Sequence, residues 1–219
     1  MTIDLGVAYR AARERITALV AGSDVDSNVA VPATPEWNVH DVVAHLSGIA
    51  TDASTGNMEG APGEAWTAAQ VLRGAGRTLA EMLADWQQHA PMIEGFLSSP
   101  EGESVGNAVM DIHTHEADLR HALGLHVSAP PDVLRWAASR LRDGFHEQCG
   151  AAGLAPVVVT TADFEWFRGR MGRRTVQEVA AYEWSVNPTP YLDSFFVFGR
   201  ATVSLNEGSL GESSLGERA

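Results

Sequence analysis

The stretch DIHTHEADLRHAL, Asp111 to Leu123, sets three histidines and three acids into thirteen positions. On a helix only residues three or four apart share a face. Asp111 and His115 stand four apart and project side by side, and Asp118 follows three further along the same stripe. His113 points away from His115, and Glu116 and His121 lie off that stripe. A carboxylate and an imidazole at this spacing are adjacent donors of the kind that helical bundles use for divalent metals.

A third donor must come from another helix. His45 sits in the apolar run VVAHLSGI, where a polar side chain needs a reason. His45, Asp111 and His115 would form an open triad of two imidazoles and one carboxylate, leaving a position for water or a thiol. By spacing alone, the commoner arrangement is a hydrogen-bonded core histidine beside an acid–histidine surface pair worth roughly 0.2–0.5 kcal/mol.

Other residues carry weaker signals. Asp118 either orients a ligand histidine or faces solvent or a neighbouring helix. Arg168, Arg170, Arg173 and Arg174 cluster in RGRMGRR. They could clamp a substrate or cofactor carboxylate, Arg173 and Arg174 first among them, or balance nearby acids in a solvated turn. Trp37 precedes a helix cap and either staples it or stacks on a ligand. The single cysteine, Cys149, reads as a small, partly buried thiol near a helix end rather than a nucleophile. His40, His89, His126 and His146 have no evident partner.

The elements that must position these groups are helical. Leu5–Val20 is amphipathic, with Val7, Ala11, Ile16 and Leu19 toward one face and Arg10, Arg13 and Glu14 toward the other. After a loop rich in Gly, Ser, Asp and Pro, Asn38 caps a second helix, with Asp41 in its first turn and Val42, Val43, Leu46 and Ile49 as its stripe. Ala65 to Leu97 reads as one long helix, weakened at Gly74 and Gly76 and kinked or divided at Pro91. A fourth covers Asn107–Leu123 and ends at Gly124. A fifth opens at Pro130–Pro131 and stops at Gly150. Beyond it, APVVVTTADFEWF and FFVFGRATVSL read as strands flanking a helical TVQEVAAYEWSV. The fold class is therefore mainly α: a four- or five-helix bundle over 1–150, a small α+β domain over 151–207, and a disordered polar tail over 208–219 built on a repeated SLGE.

The 219 residues are 45% hydrophobic and 20% charged, the composition of a globule. A net charge of -13 argues against nucleic acid or an anionic membrane as partner. Apolar runs are too short to span a bilayer, the N-terminal stretch lacks a signal-peptide core, and one cysteine cannot form an internal disulfide. Together these predict a cytoplasmic protein. It would be a monomer or a homodimer, with Met82, Trp86 or Trp136 as contact candidates.

Three segments resemble the mycothiol-dependent maleylpyruvate isomerase family, whose helical domain is DinB-like. They are TPEWNVHDVVAHLSGI (Thr34 to Ile49), DIHTHEADLRHALG (Asp111 to Gly124) and GRRTVQEVAAYEWSVNPTPYLDSFFVFG (Gly172 to Gly199). The resemblance implies a metal site on His45, Asp111 and His115. The family's acid is often glutamate; here it is aspartate, shorter by one methylene. An N/N/O donor set suits zinc, with nickel or iron as alternatives. The implied chemistry is a transferase or isomerase in which a metal-activated thiolate of mycothiol, an external cosubstrate, attacks a small electrophile. Two other readings use the same scaffold: a hydrolase with metal-activated water, and a non-catalytic metal-binding or regulatory module.

Overall fold

The computed structural model describes residues 3–22 and 25–207. The chain is mainly α with a small C-terminal α+β region, and it divides into two compact units, Ile3–His126 and the segment from Val127 onward. The SLGE tail lies outside the described residues. No helix among the described residues is long and apolar enough to cross a membrane.

The first unit is built from five helices: α1 (Leu5–Val20), α2 (Val39–Thr55), α3 (Glu64–Gly74), α4 (Leu79–Leu97) and α5 (Asn107–Ala122). α2 packs against α3, α4 and α5, while α1 packs against α4 and α5. The start of α2 follows from its capping box: the Asn38 side chain accepts from the Asp41 amide, and the Asp41 carboxylate accepts from the Asn38 amide. Its expected stripe of Val42, Val43, Leu46 and Ile49 is buried. α5 ends where expected, with Gly124 at φ 66° just past its end.

The long helix expected over 65–97 is two. Gly74 ends α3, and Thr78 opens α4 with its own capping box to Glu81. Pro91 lies inside α4 without dividing it. The break at Gly74 serves packing: a Cβ there would lie 2.3 Å from Ala44 Cβ, so α3 meets α2 closely only because the side chain is absent.

The face expected for α1 is rotated. Val7 is exposed, whereas Tyr9, Ala12 and Ile16 are buried, and Arg13 is buried with them. Arg13 can turn inward because Glu94 on α4 meets it: Nε donates to Oε1 at 2.8 Å, and Arg10 donates to the other oxygen at 2.7 Å. A second tie joins α1 to α5, where Arg15 grips Glu116 at 2.7 and 2.8 Å. Met82 and Trp86 are buried within α4's packing rather than presented for a dimer contact.

The second unit begins with α6 (Pro131–Ala151), which opens at the expected proline pair. It packs with α7 (Asp163–Arg170) and α9 (Leu192–Phe195), so this helix groups with the C-terminal segments rather than with the residues before it. α8 (Val176–Ala180) falls within the expected helical stretch. Strand is far scarcer than the pattern suggested. β1 (Val159–Thr160) pairs antiparallel with β2 (Glu183–Trp184), and no longer ladder forms among the described residues. The reason lies in aromatic packing. Phe145, Trp166, Tyr191 and Phe195 share one buried cluster with Val159 and Val179, and the helical turns of α7 and α9 bring Trp166 and Phe195 to it.

Candidate metal centre

Two elements converge on the site. α5 carries Asp111 and His115 on one face, and α2 carries His45. One ligand atom from each of these three residues lies within 4.8 Å of the other two. His45 Nε2 stands 3.4 Å from Asp111 Oδ2, and His115 Nε2 stands 3.6 Å from Asp111 Oδ1. The two rings meet edge to face, their centroids 5.2 Å apart. Both histidines are buried, whereas the Asp111 side chain is 32% exposed, so the site opens on the side of the acid.

The partners of the outer ring nitrogens decide what the inner ones can do. Asp52, buried on α2, accepts from Asn57 at 2.8 Å and from Arg73 at 2.7 Å. It also accepts from Gln70 Nε2 at 3.0 Å. An ionised carboxylate only accepts, so the Gln70 amide must turn its NH2 to Asp52 and its oxygen, Oε1, to His45. Oε1 lies 2.8 Å from His45 Nδ1 and can only accept there, so the proton of the neutral ring sits on Nδ1. His115 Nδ1 faces an acceptor as well, Asp118 Oδ2 at 3.2 Å, off the direction of the ring N–H. Asp118 is fully buried and stands on the next turn of the same face.

His45 Nε2 thus turns a lone pair toward Asp111, a carboxylate that has only lone pairs to offer, and the Asp118 carboxylate beside His115 Nδ1 favours the same tautomer there. Three acceptors at 3.4 and 3.6 Å repel one another unless a cation or a proton lies among them. The spacing suits a cation. Donors about 2.0–2.1 Å from one tetrahedral zinc are roughly 3.3–3.4 Å apart. The donor set, two imidazoles and a carboxylate, is that of open zinc sites. Burial pushes the Tyr9 hydroxyl far above its ordinary range, and the nearby charge of Asp111 adds to the shift, so a neutral phenol flanks the acid.

Trp37 closes another side. Its ring centroid lies 5.2 Å from that of His45 and 5.8 Å from that of His115. The loop before α2 holds it there: Val31 donates to the Trp37 carbonyl, Trp37 donates to that of Thr34, and Ala30 and Asn38 form an antiparallel bridge.

Two other members of the opening stretch are occupied elsewhere. Glu116 is buried between Arg15 and Arg120, and His113 donates to the Val109 carbonyl at 2.8 Å. His40 bonds the Arg77 carbonyl, and His89 bonds Ser54. The arginine cluster lies in the second unit and is buried, not a solvated turn. Arg174 makes a two-pronged bond to Glu165 and reaches Glu207, which also pairs with Arg168. Arg173 donates to the Met171 carbonyl. Arg170 donates to Gln148 and to the carbonyls of Ser194 and Phe195, and burial pushes its pKa down to about 10.

Gln70, Asp52 and Arg73 were not among the residues singled out from sequence. Their signal is faint: Gln70 and Arg73 share a helix face at i,i+3, but nothing in AAQVLRG says that this face meets a histidine.

Comparison with known proteins gives one match. Residues 9–107 match the family model described as "Mycothiol maleylpyruvate isomerase N-terminal domain". His45, Asp52, Gln70 and Trp37 fall inside the matched segment, and Asp111 and His115 follow just past its end. No curated protein and no solved structure matches the chain.

Proposed function

We propose, from the match of residues 9–107 to the mycothiol maleylpyruvate isomerase N-terminal domain model and from the site above, a metal-dependent enzyme of that family. It uses a low-molecular-weight thiol, mycothiol, for transfer to or isomerisation of a small electrophile. The observation that carries this reading is the meeting of His45 Nε2, Asp111 and His115 Nε2 as three acceptors. A divalent ion held by these residues, zinc by donor type, would favour the thiolate of a bound thiol at neutral pH and would polarise a carbonyl.

The chain's own residues supply the rest. Gln70 holds the His45 ring by its outer nitrogen, and Asp118 sets a carboxylate 3.2 Å from that of His115. Trp37 covers the two rings and keeps bulk water from that side. The exposed edge of Asp111 leaves the approach for a thiol and its electrophile. Cys149 lies in the other unit, and burial raises its thiol pKa, so the reading draws its sulfur from outside the chain.

The test is elemental analysis of wild type beside His45→Ala and His115→Ala, followed by thiol titration of the metal-loaded protein. One ion per chain in wild type, lost in both variants, with thiol affinity that needs the ion, is the expected result. A metal-replete protein with no affinity for thiols would overturn the thiol step. Turnover of an ester or amide without thiol would assign the site to activated water.

A further inference from the structure

We infer that Gln70 is a positioning residue that sets the tautomer of His45, and that Asp52 and Arg73 act through it by fixing which end of its amide faces the ring. The inference rests on the metal-site reading above and deepens it.

A neutral imidazole carries its proton on either nitrogen, and only the nitrogen without it can donate a lone pair. The acceptor at Nδ1 therefore decides whether Nε2 is a ligand. Gln70 is an ambiguous choice for that task, because its amide presents either an oxygen or an NH2. Turned the wrong way, it would donate to Nδ1, drive the proton to Nε2 and aim an N–H at Asp111. Asp52 removes the ambiguity. It is buried, accepts from the Gln70 NH2 at 3.0 Å, and pairs with Arg73 at 2.7 Å with Asn57 as a further donor. The order of bonds, Arg73 to Asp52 to Gln70 to His45, has a single direction, and it ends with a lone pair on Nε2.

The backbone is shaped for this contact. A Cβ at Gly48 would lie 2.7 Å from Gln70 Cβ and 2.8 Å from its Cγ, so α3 approaches α2 closely enough for Gln70 only where residue 48 lacks a side chain. Gly48 stands one turn after Ala44, which meets Gly74 one turn after Gln70. The seam between α2 and α3 thus places the amide at the ring.

The experiment uses the full chain. Nitrogen-15 NMR of the metal-free protein reports the tautomer of His45, and competition with a chelator reports zinc affinity. Gln70→Leu keeps the bulk and removes the acceptor. The expected result is loss of the Nδ1–H signature of His45 together with weaker zinc binding, on the order of 10–100-fold. The paired exchange Asp52→Asn with Gln70→Glu keeps a donor facing an acceptor and an acceptor facing Nδ1, and it should restore both readouts. Each readout is taken on variants whose folded state is verified by their NMR dispersion, and the paired exchange supplies the answer if Gln70→Leu does not fold. An unchanged His45 tautomer in Gln70→Leu, or a paired exchange that folds yet loses the signature, would overturn the inference. Wild type that binds no zinc would instead remove the metal-site reading, while the tautomer of the metal-free protein would still decide this one.

Discussion

The indole of Trp37 lies over the ring of His115, with the two planes 27° from parallel and the centroids 5.8 Å apart. The same indole touches His45, so one side chain covers both candidate imidazole ligands. Removing it admits water to the rings and frees their orientation. Trp37→Ala is expected to weaken zinc affinity about tenfold, as loss of an outer-shell contact does, whereas Trp37→Phe retains most of it. The chain has six tryptophans, so the specific readout is a difference. Nickel titration should quench wild-type fluorescence, and the quench should be largely absent in Trp37→Phe.

Asp111 is the ligand candidate that departs from the glutamate common in the family that the sequence resembles. Its carboxylate reaches His45 Nε2 at 3.4 Å and His115 Nε2 at 3.6 Å without a further methylene, so the shorter acid spans this site. Asp111→Asn keeps the shape and removes the charge. It is expected to lower zinc affinity by more than the roughly 10–100-fold of an outer partner, because a donor to the ion itself is altered. Asp111→Glu lengthens the acid by one methylene at a side chain that is 32% exposed, and it should retain binding. Equal zinc affinity in wild type and Asp111→Asn, measured by chelator competition, would show that the carboxylate is not a ligand.

Much of this was legible in the sequence, and what was not has identifiable causes. α2 and α5 were readable because capping residues and apolar stripes agree there, and His45, Asp111 and His115 were singled out by residue type, by the spacing of the last two and by the family resemblance. The face of α1 was not, because Arg13 is buried by a partner 81 residues away, which no local period reveals. The split of the long helix at Gly74 was visible as a weakness, but its cause is contact with Ala44 on another helix. Of the strands expected over 155–167 and 195–205, only Val159–Thr160 forms; Asp163–Phe167 joins α7 and the chain after Phe195 is irregular, because β-branched and aromatic residues also suit the packed cluster around Phe195. Gln70, Asp52 and Arg73 stayed hidden for the same reason as Arg13: their roles exist only once α3 lies against α2.

Gly48 separates packing from chemistry in that seam. Ala at this position adds one carbon against Gln70 Cβ at 2.7 Å, and a backbone-anchored atom cannot swing aside. Gly48→Ala is expected to destabilise the unit by about 1–3 kcal/mol through overpacking, despite the better helix propensity of alanine. Because the strain falls on Gln70, zinc affinity should drop as well. Gly95, where a Cβ meets nothing within 4 Å, is the control: Gly95→Ala should gain stability by helix propensity, and zinc affinity should be unchanged. Urea midpoints and chelator competition on the two variants make the comparison.

Cys149 offers a chemical test of the external sulfur. The residue is 3% exposed, and burial raises its pKa, an effect that the charge of Arg170 only partly offsets. The thiol therefore stays protonated at neutral pH and reacts slowly. Iodoacetamide should leave the native protein unlabelled at pH 7 and modify it fully in urea. Cys149→Ser should keep zinc and thiol affinity intact. Rapid native labelling, or loss of thiol affinity in the serine variant, would place sulfur chemistry on the chain itself.

Glu94 shows how an ion pair's worth depends on its surroundings. The same carboxylate accepts from Arg10 at 2.7 Å and from Arg13 at 2.8 Å, but the Arg10 side chain is 51% exposed and that of Arg13 only 6%. Water solvates Arg10 almost as well as the acid does, so Arg10→Ala should leave the urea midpoint nearly unchanged. Arg13 has no such alternative. With Glu94 gone its charge stays buried beside Gln87, to which it donates at 2.7 Å, a neutral acceptor that cannot replace a carboxylate. Glu94→Ala is therefore expected to lose about 3–5 kcal/mol, as removal of one partner from a buried pair does. The double variant Arg13→Met with Glu94→Leu removes both charges and fills the space, so it should recover most of that loss. Urea unfolding of the single and double variants measures the difference. A double variant no more stable than Glu94→Ala would mean that the pair itself, not the avoidance of a stranded charge, holds α1 against α4.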